Sequence, residues 1–185
     1  MALKKTKRKP LAVNPKILLL YGPPKVGKTT VLSQLNDCLV IDTEEGSHML
    51  EGYFTKEVVS EWQVDDIADL PYGKGYGMVR ERTMNNIRKL QSLCPQTIIV
   101  GHRKTAAAVD NSTAVDPETL DLSGKLRNQI MAQSDAIGYM FRDDEDKLMV
   151  SFKAAHAVEA GSRCEHLKGK VFPFDWKKIY IKEGK

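Results

Sequence analysis

The segment Gly22-Pro23-Pro24-Lys25-Val26-Gly27-Lys28-Thr29 satisfies the pattern GxxxxGK[ST] at every fixed position, and Thr30 follows it directly. Each residue type has a task in holding a triphosphate. Glycines let the backbone curl until successive N–H groups face phosphate oxygens, and a helix opening near Lys28 adds the positive end of its dipole. The Lys28 ammonium then offsets charge on the β- and γ-phosphates, while the Thr29 hydroxyl is the expected ligand for Mg²⁺. The spacing therefore predicts ATP and Mg²⁺ as ligands, with residues 22–30 as the nucleotide-binding loop.

A second constellation is Leu39-Val40-Ile41-Asp42-Thr43-Glu44-Glu45, an apolar run that ends in acids. A strand of this kind delivers carboxylates to the carboxyl edge of a parallel sheet, where ligands bind. There Asp42 would hold Mg²⁺ through a water, and Glu44 would orient or deprotonate an attacking water. The competing reading is that these acids only terminate a strand. His102 follows Thr97-Ile98-Ile99-Val100-Gly101 and so reaches the same edge, either to sense the γ-phosphate by hydrogen bonding or as an ordinary strand-end histidine. Cys164 and His166, two residues apart and without a second pair, do not make a zinc site.

These groups need a scaffold. Lys16 to Tyr21 reads as a buried strand, Thr29 to Leu35 as a helix with Val31, Leu32 and Leu35 on one face, and Cys38 to Ile41 as the next strand, together a βαβ unit. A longer helix is predicted from Met78 to Leu93, with Met84, Ile87 and Leu90 as its apolar stripe and Pro95 as its stop. Thr97 to Gly101 has the unbroken apolar character of a parallel strand covered on both faces. Residues 104–122 read as a loop, and Ser123 as the cap of a helix reaching about Ser134. Ile137 to Arg142 and Leu148 to Lys153 predict a hairpin around Asp143-Asp144-Glu145-Asp146, and Ile179-Tyr180-Ile181 a last strand.

The chain has 185 residues, 42% hydrophobic and 28% charged, the profile of one folded α/β domain rather than a disordered polymer. Lys4, Lys5, Lys7, Arg8 and Lys9 supply more than the formal net charge of +4. Residues 1–10 are therefore read as a basic arm, and 11–185 as the single domain. A second basic cluster near the C-terminus includes Lys168, Lys170, Lys177 and Lys178, so both ends suit either a polyanion or plain solvation. Three cysteines without CxxC spacing fit a reducing compartment, and two of them adjoin apolar runs that predict burial. The apolar stretch near the N-terminus is interrupted by Asn14, Pro15 and Lys16, which argues against secretion, and no run is long enough to span a membrane. The expected location is the cytoplasm.

With these residues placed, the chain resembles the phage-encoded RecA-like ATPases associated with single-strand annealing and recombination. The resemblance rests on Ile17 to Pro24 with Lys28-Thr29-Thr30, on Asp42-Thr43-Glu44, and on Leu70-Pro71-Tyr72-Gly73-Lys74-Gly75-Tyr76-Gly77. It continues through Ile99-Val100-Gly101-His102, Leu122 to Asn128, Gly161-Ser162-Arg163 and Phe174 to Ile179. It implies a three-layer P-loop fold with a RecA-like core, a mostly parallel sheet and the C-terminal hairpin. It further implies ATP with Mg²⁺, single-stranded DNA or a recombination or single-strand-binding protein as partner, a homo-oligomer, and a host-cell cytoplasmic setting. By the same resemblance Glu44 activates water, His102 senses nucleotide state, and Lys125 and Arg127 reach a phosphate across a subunit boundary.

In one respect the chain departs from that pattern. Between the strand ending at Asp42 and the one beginning at Thr97, no apolar run ending in aspartate appears, so the usual Walker B strand is not found. Two other classes therefore stay open: a small-molecule P-loop kinase using Asp42 and Glu44, and a nucleotide-binding module that does not hydrolyse. The aromatics Trp62, Tyr72, Tyr76 and Trp176 suit either base stacking or internal packing.

Overall fold

Leu18, Leu19, Leu20 and Tyr21 expose no surface at all, because the strand that carries them, β1 (Ile17–Gly22), is flanked on both sides. Its neighbours are β4 (Thr97–His102) and β5 (Ala136–Arg142), and both run parallel to it. The computed structural model describes residues 12–41, 53–55, 74–104, 119–122, 124–155 and 158–182. Among these the remaining elements are α1 (Lys28–Leu32), β2 (Leu39–Ile41), β3 (Tyr53–Thr55), α2 (Lys74–Leu93), α3 (Gly124–Gln133), β6 (Leu148–Ser151), β7 (Gly161–Ser162), β8 (Val171–Pro173) and α4 (Trp176–Ile179).

The main sheet runs β4-β1-β5-β6-β8, and β7 pairs with the first half of β5. It is parallel through β4, β1 and β5, then antiparallel through β6 and β8, as expected for a parallel core extended by a hairpin. The turn of that hairpin falls where the acidic run predicts it. Asp143 accepts the N–H groups of Glu145 and Lys147 at 3.1 and 2.8 Å, and Asp146 takes the left-handed conformation at φ 60°.

Side chains alternate across β1 and divide the core in two. Leu18 and Leu20 pack with Val26, Val31, Met140, Val150, Phe152, Leu167 and Ile179, the side covered by α1 and the C-terminal segment. Leu19 and Tyr21 pack with Met84 of α2 and with Leu126 and Ile130 of α3. Helices therefore lie on both faces of the sheet, a three-layer α/β arrangement.

Four expectations change. β2 does not join β1 in one sheet; it pairs in parallel with β3, a strand too short and too weakly patterned to be foreseen. β4 is half-buried along its whole length rather than enclosed, since it stands at the end of the strand order among the described residues. No last strand forms at Ile179 to Ile181. Asp175 caps Lys177 N–H at 2.9 Å and starts α4, placing Trp176 and Ile179 one turn apart on the core. Finally, none of the cysteines is fully buried: Cys38 and Cys164 are half-buried and Cys94 is exposed. No helix among the described residues is long and apolar enough to cross a membrane.

Candidate nucleotide site

β1 and β4 end together, with Gly22 opposite His102, while β5, whose Tyr139 lies opposite Tyr21, continues to Arg142, so the loop after β1 opens between the end of β4 and the last residues of β5. Gly22 sits so close to β5 that a Cβ there would lie 2.3 Å from the carbonyl oxygen of Met140. Only glycine allows the strand to turn at this point.

The loop from Pro23 to Gly27 is pinned by Val26, which is 4% exposed. Left-handed conformations at Lys25 (φ 61°) and Gly27 (φ 112°) curl the backbone on either side of it, the kind of turn that aims successive N–H groups inward. Gly27 is the N-cap of α1, and no side chain caps that end, so the first-turn N–H groups of the helix face the loop. The arrangement fits a phosphate group: a glycine in the left-handed region, an uncapped helix start and a buried cation.

That cation is Lys28, 7% exposed. Its ammonium donates to the carbonyls of Gly22 at 3.0 Å and Pro23 at 2.8 Å, and lies 3.2 Å from Nδ1 of His102. A lysine can only donate, so Nδ1 of His102 faces the ammonium as an acceptor. The His102 backbone is fixed as well: its carbonyl accepts from Asp121 N–H at 2.8 Å, and Arg103 pairs with Leu120. Residues 103–104 and 119–121 thus meet beside the phosphate loop. Thr29 follows on the first turn of α1 and is half-buried, while Thr30 is exposed.

The other sequence-predicted residues are placed unevenly. Asp42 and Glu44 lie outside the described residues, just past the end of β2. Lys125 is exposed and Arg127 half-buried on α3, and among the described residues neither is hydrogen-bonded to the phosphate loop. Trp62 and Tyr72 also lie outside the described residues. Trp176 is not a free platform: its ring packs against Phe174 and Tyr180, and its indole N–H donates to Val31 at 2.7 Å.

Two arginines at this edge were not singled out from the sequence. Arg103 follows His102, donates its backbone N–H to Gly22 at 3.0 Å and reaches the Tyr139 hydroxyl at 3.3 Å. Arg142 ends β5 beside the loop, its Nη2 3.8 Å from where a Cβ on Gly27 would stand. Its guanidinium donates to the backbone carbonyl of Asp146 at 2.5 Å and pairs with the exposed Asp146 carboxylate at 3.3 Å, the latter a weak restraint in water. The signal available was an arginine at the carboxyl end of each strand next to β1, but using it requires knowing which strands those are.

A family model for the AAA domain matches residues 14–64 and 50–164, a span that contains the phosphate loop, His102 and Arg142. No curated protein matches the chain. AAA-type domains are P-loop α/β domains that bind nucleotide, typically with Mg²⁺.

Proposed function

The chain belongs to the AAA domain family, and from that premise we propose that it is an Mg²⁺-dependent ATPase whose nucleotide state is coupled to single-stranded DNA in phage recombination or strand annealing. The observation that carries the nucleotide part is the Lys28 ammonium, buried and held at 2.8–3.2 Å from Pro23, Gly22 and His102 at the mouth of the parallel strands. A cation kept on carbonyl oxygens is poised to exchange them for phosphate oxygens, which are stronger acceptors.

In this reading the loop from Gly22 through Thr30 binds the triphosphate. Pro23, Pro24, Lys25 and Val26 shape it, Gly27 and the start of α1 present N–H groups, and Lys28 offsets phosphate charge. Thr29 and Asp42 would hold Mg²⁺, the latter through water. The metal would supply further charge offset on the phosphates. Glu44 would orient the attacking water and His102 would report on the terminal phosphate, with Arg142 as an additional cation beside Gly27. Lys125, exposed, and Arg127, half-buried, both on α3, would reach a phosphate across a subunit boundary in a homo-oligomer. The DNA part rests on the family-like segments outside the phosphate loop and on the basic C-terminal region.

The test is a calorimetric titration of ATP with Mg²⁺ into wild type and Lys28→Ala, followed by phosphate release with and without single-stranded DNA. Loss of a charge-assisted contact should weaken ATP binding by about 1.5–3 kcal/mol. Unchanged affinity in the variant would remove the nucleotide assignment. Binding without any turnover would reduce the protein to a nucleotide-responsive module, and a phosphorylated small acceptor would make it a kinase.

A further inference from the structure

Away from the phosphate loop, β8 and α4 flank an open hollow of about 510 Å³. Lys170, Lys177 and Lys178 line it together with Val171, Phe172 and Ile181, and His166 forms its wall. Among the described residues no carboxylate lines it. Of the acids nearest in sequence, Glu165 pairs with Lys168 at 3.8 Å and Asp175 is turned onto the N–H of Lys177, while Glu183 lies outside the described residues.

We infer that this hollow binds the sugar–phosphate backbone of single-stranded nucleic acid. The inference rests on the proposal that nucleic acid is a partner, and adds where it is held. Three lysines line it from two segments, Lys170 ahead of β8 and Lys177 and Lys178 on α4, so positive charge gathers around one shallow concave surface. Concave, single-sign surfaces focus potential and attract a polyanion.

The lysines are held on a firm base. Ile179 is fully buried, the Trp176 indole is bonded to Val31, and His166 Nε2 donates to the carbonyl of Ile179 at 2.9 Å. Lys178 Nζ also lies 5.6 Å from the centre of the Phe172 ring. Between the cations the surface is apolar, with Val171 46% exposed beside Phe172 and Ile181. Charged points spaced around an apolar floor suit a flexible strand, whose phosphates take the lysines while a sugar or base covers the floor.

The experiment measures binding of fluorescent oligothymidylate to the full chain by anisotropy across a salt series. Wild type is compared with the triple variant Lys170→Ala, Lys177→Ala, Lys178→Ala, with the same three positions changed to Arg, and with Lys16, Lys89 and Lys153 changed to Ala as a charge-matched control. All six side chains are exposed, so folding is preserved, and ATP titration of each variant verifies it. The inference expects the alanine variant to bind more weakly with a salt dependence flatter by about 2 in log–log slope, the arginine variant to bind like wild type, and the control to keep the wild-type slope. Equal slopes for wild type and the alanine variant would overturn the site while leaving the nucleic-acid reading intact, as would an equal loss in the control. Wild-type protein that binds ATP but no oligothymidylate would overturn both. Lysine-dependent binding to phosphatidylserine vesicles, or to thymidine monophosphate as tightly as to the oligomer, would also overturn the assignment.

Discussion

The indole N–H of Trp176 donates to the backbone carbonyl of Val31 at 2.7 Å, so the C-terminal helix is bonded directly to the helix that begins at Lys28. α1 has only five residues and is too short to be stable alone. Its position depends on Val31 packing in the core and on this bond. Trp176→Phe keeps an aromatic ring against Phe174 and Tyr180 but removes the donor. The expected cost is about 1 kcal/mol, read as a fall in melting temperature of about 2–4 °C for a chain of this size. A thermal melt with no shift would show that the bond adds nothing to the placement of α1.

Gly22 and Gly77 make a matched pair for testing how tightly the loop is built. A Cβ on Gly22 would sit 2.3 Å from the Met140 carbonyl oxygen, a backbone atom that cannot swing away, whereas at Gly77, inside α2, nothing lies within 4 Å. Gly22→Ala should therefore separate β1 from β5 at the strand end, costing about 1–3 kcal/mol and weakening ATP binding. Gly77→Ala should be neutral or stabilising by up to about 1 kcal/mol, since alanine favours a helix over glycine. Denaturant midpoints for the two variants check the contrast, and similar midpoints would contradict the packing at Gly22.

Tyr180 stacks on Trp176, and its hydroxyl is buried with no hydrogen-bond partner among the described residues. Burial raises its ionisation well above the ordinary tyrosine value of 10.0, with smaller contributions from Cys164, Cys38 and Asp135 in the same direction. The sign follows from linkage: a group whose folded pKa is raised contributes stability below the unfolded value, and that stability is lost as pH climbs above it. Stability should fall as the pH passes about 10, and Tyr180→Phe should lessen the fall. At neutral pH the same change removes an unsatisfied hydroxyl and should be neutral or stabilising by about 1 kcal/mol. Urea midpoints measured at neutral and alkaline pH decide it; destabilisation at neutral pH would mean that the hydroxyl has a partner.

What could be read from the chain alone was whatever is local. The run Ile17 to Tyr21 followed by glycine and two prolines announces both β1 and the loop, because burial and turning are written in adjacent residues. The β5–β6 hairpin is equally plain from two apolar runs around four acids. Ile179-Tyr180-Ile181 misleads because its β-branched residues favour a strand, while the Asp175 cap and the one-turn spacing of Trp176 and Ile179 favour α4, and burial of both side chains decides for the helix. The neighbours of β1 could not be read at all. Which strands flank it is settled by pairings some 80 and 120 residues away in the chain, and only those pairings bring His102 and Arg142 to the phosphate loop.

His102 offers the sharpest division between holding nucleotide and acting on it. Its Nδ1 lies 3.2 Å from the Lys28 ammonium, but that ammonium also has the carbonyls of Gly22 and Pro23. Removing the imidazole therefore leaves Lys28 at least the two carbonyl acceptors among the described residues, and ATP affinity should change less in His102→Ala than in Lys28→Ala. If the ring donates from Nε2 to the terminal phosphate as charge develops there, turnover should drop on the order of 10²-fold. His102→Asn, which keeps a polar side chain of similar reach, should recover part of the loss. Calorimetric ATP affinity and phosphate-release rates for the three variants test the split. Equal losses of affinity in His102→Ala and Lys28→Ala, with unchanged turnover at saturating ATP, would make His102 a support for the lysine and not a sensor of the nucleotide.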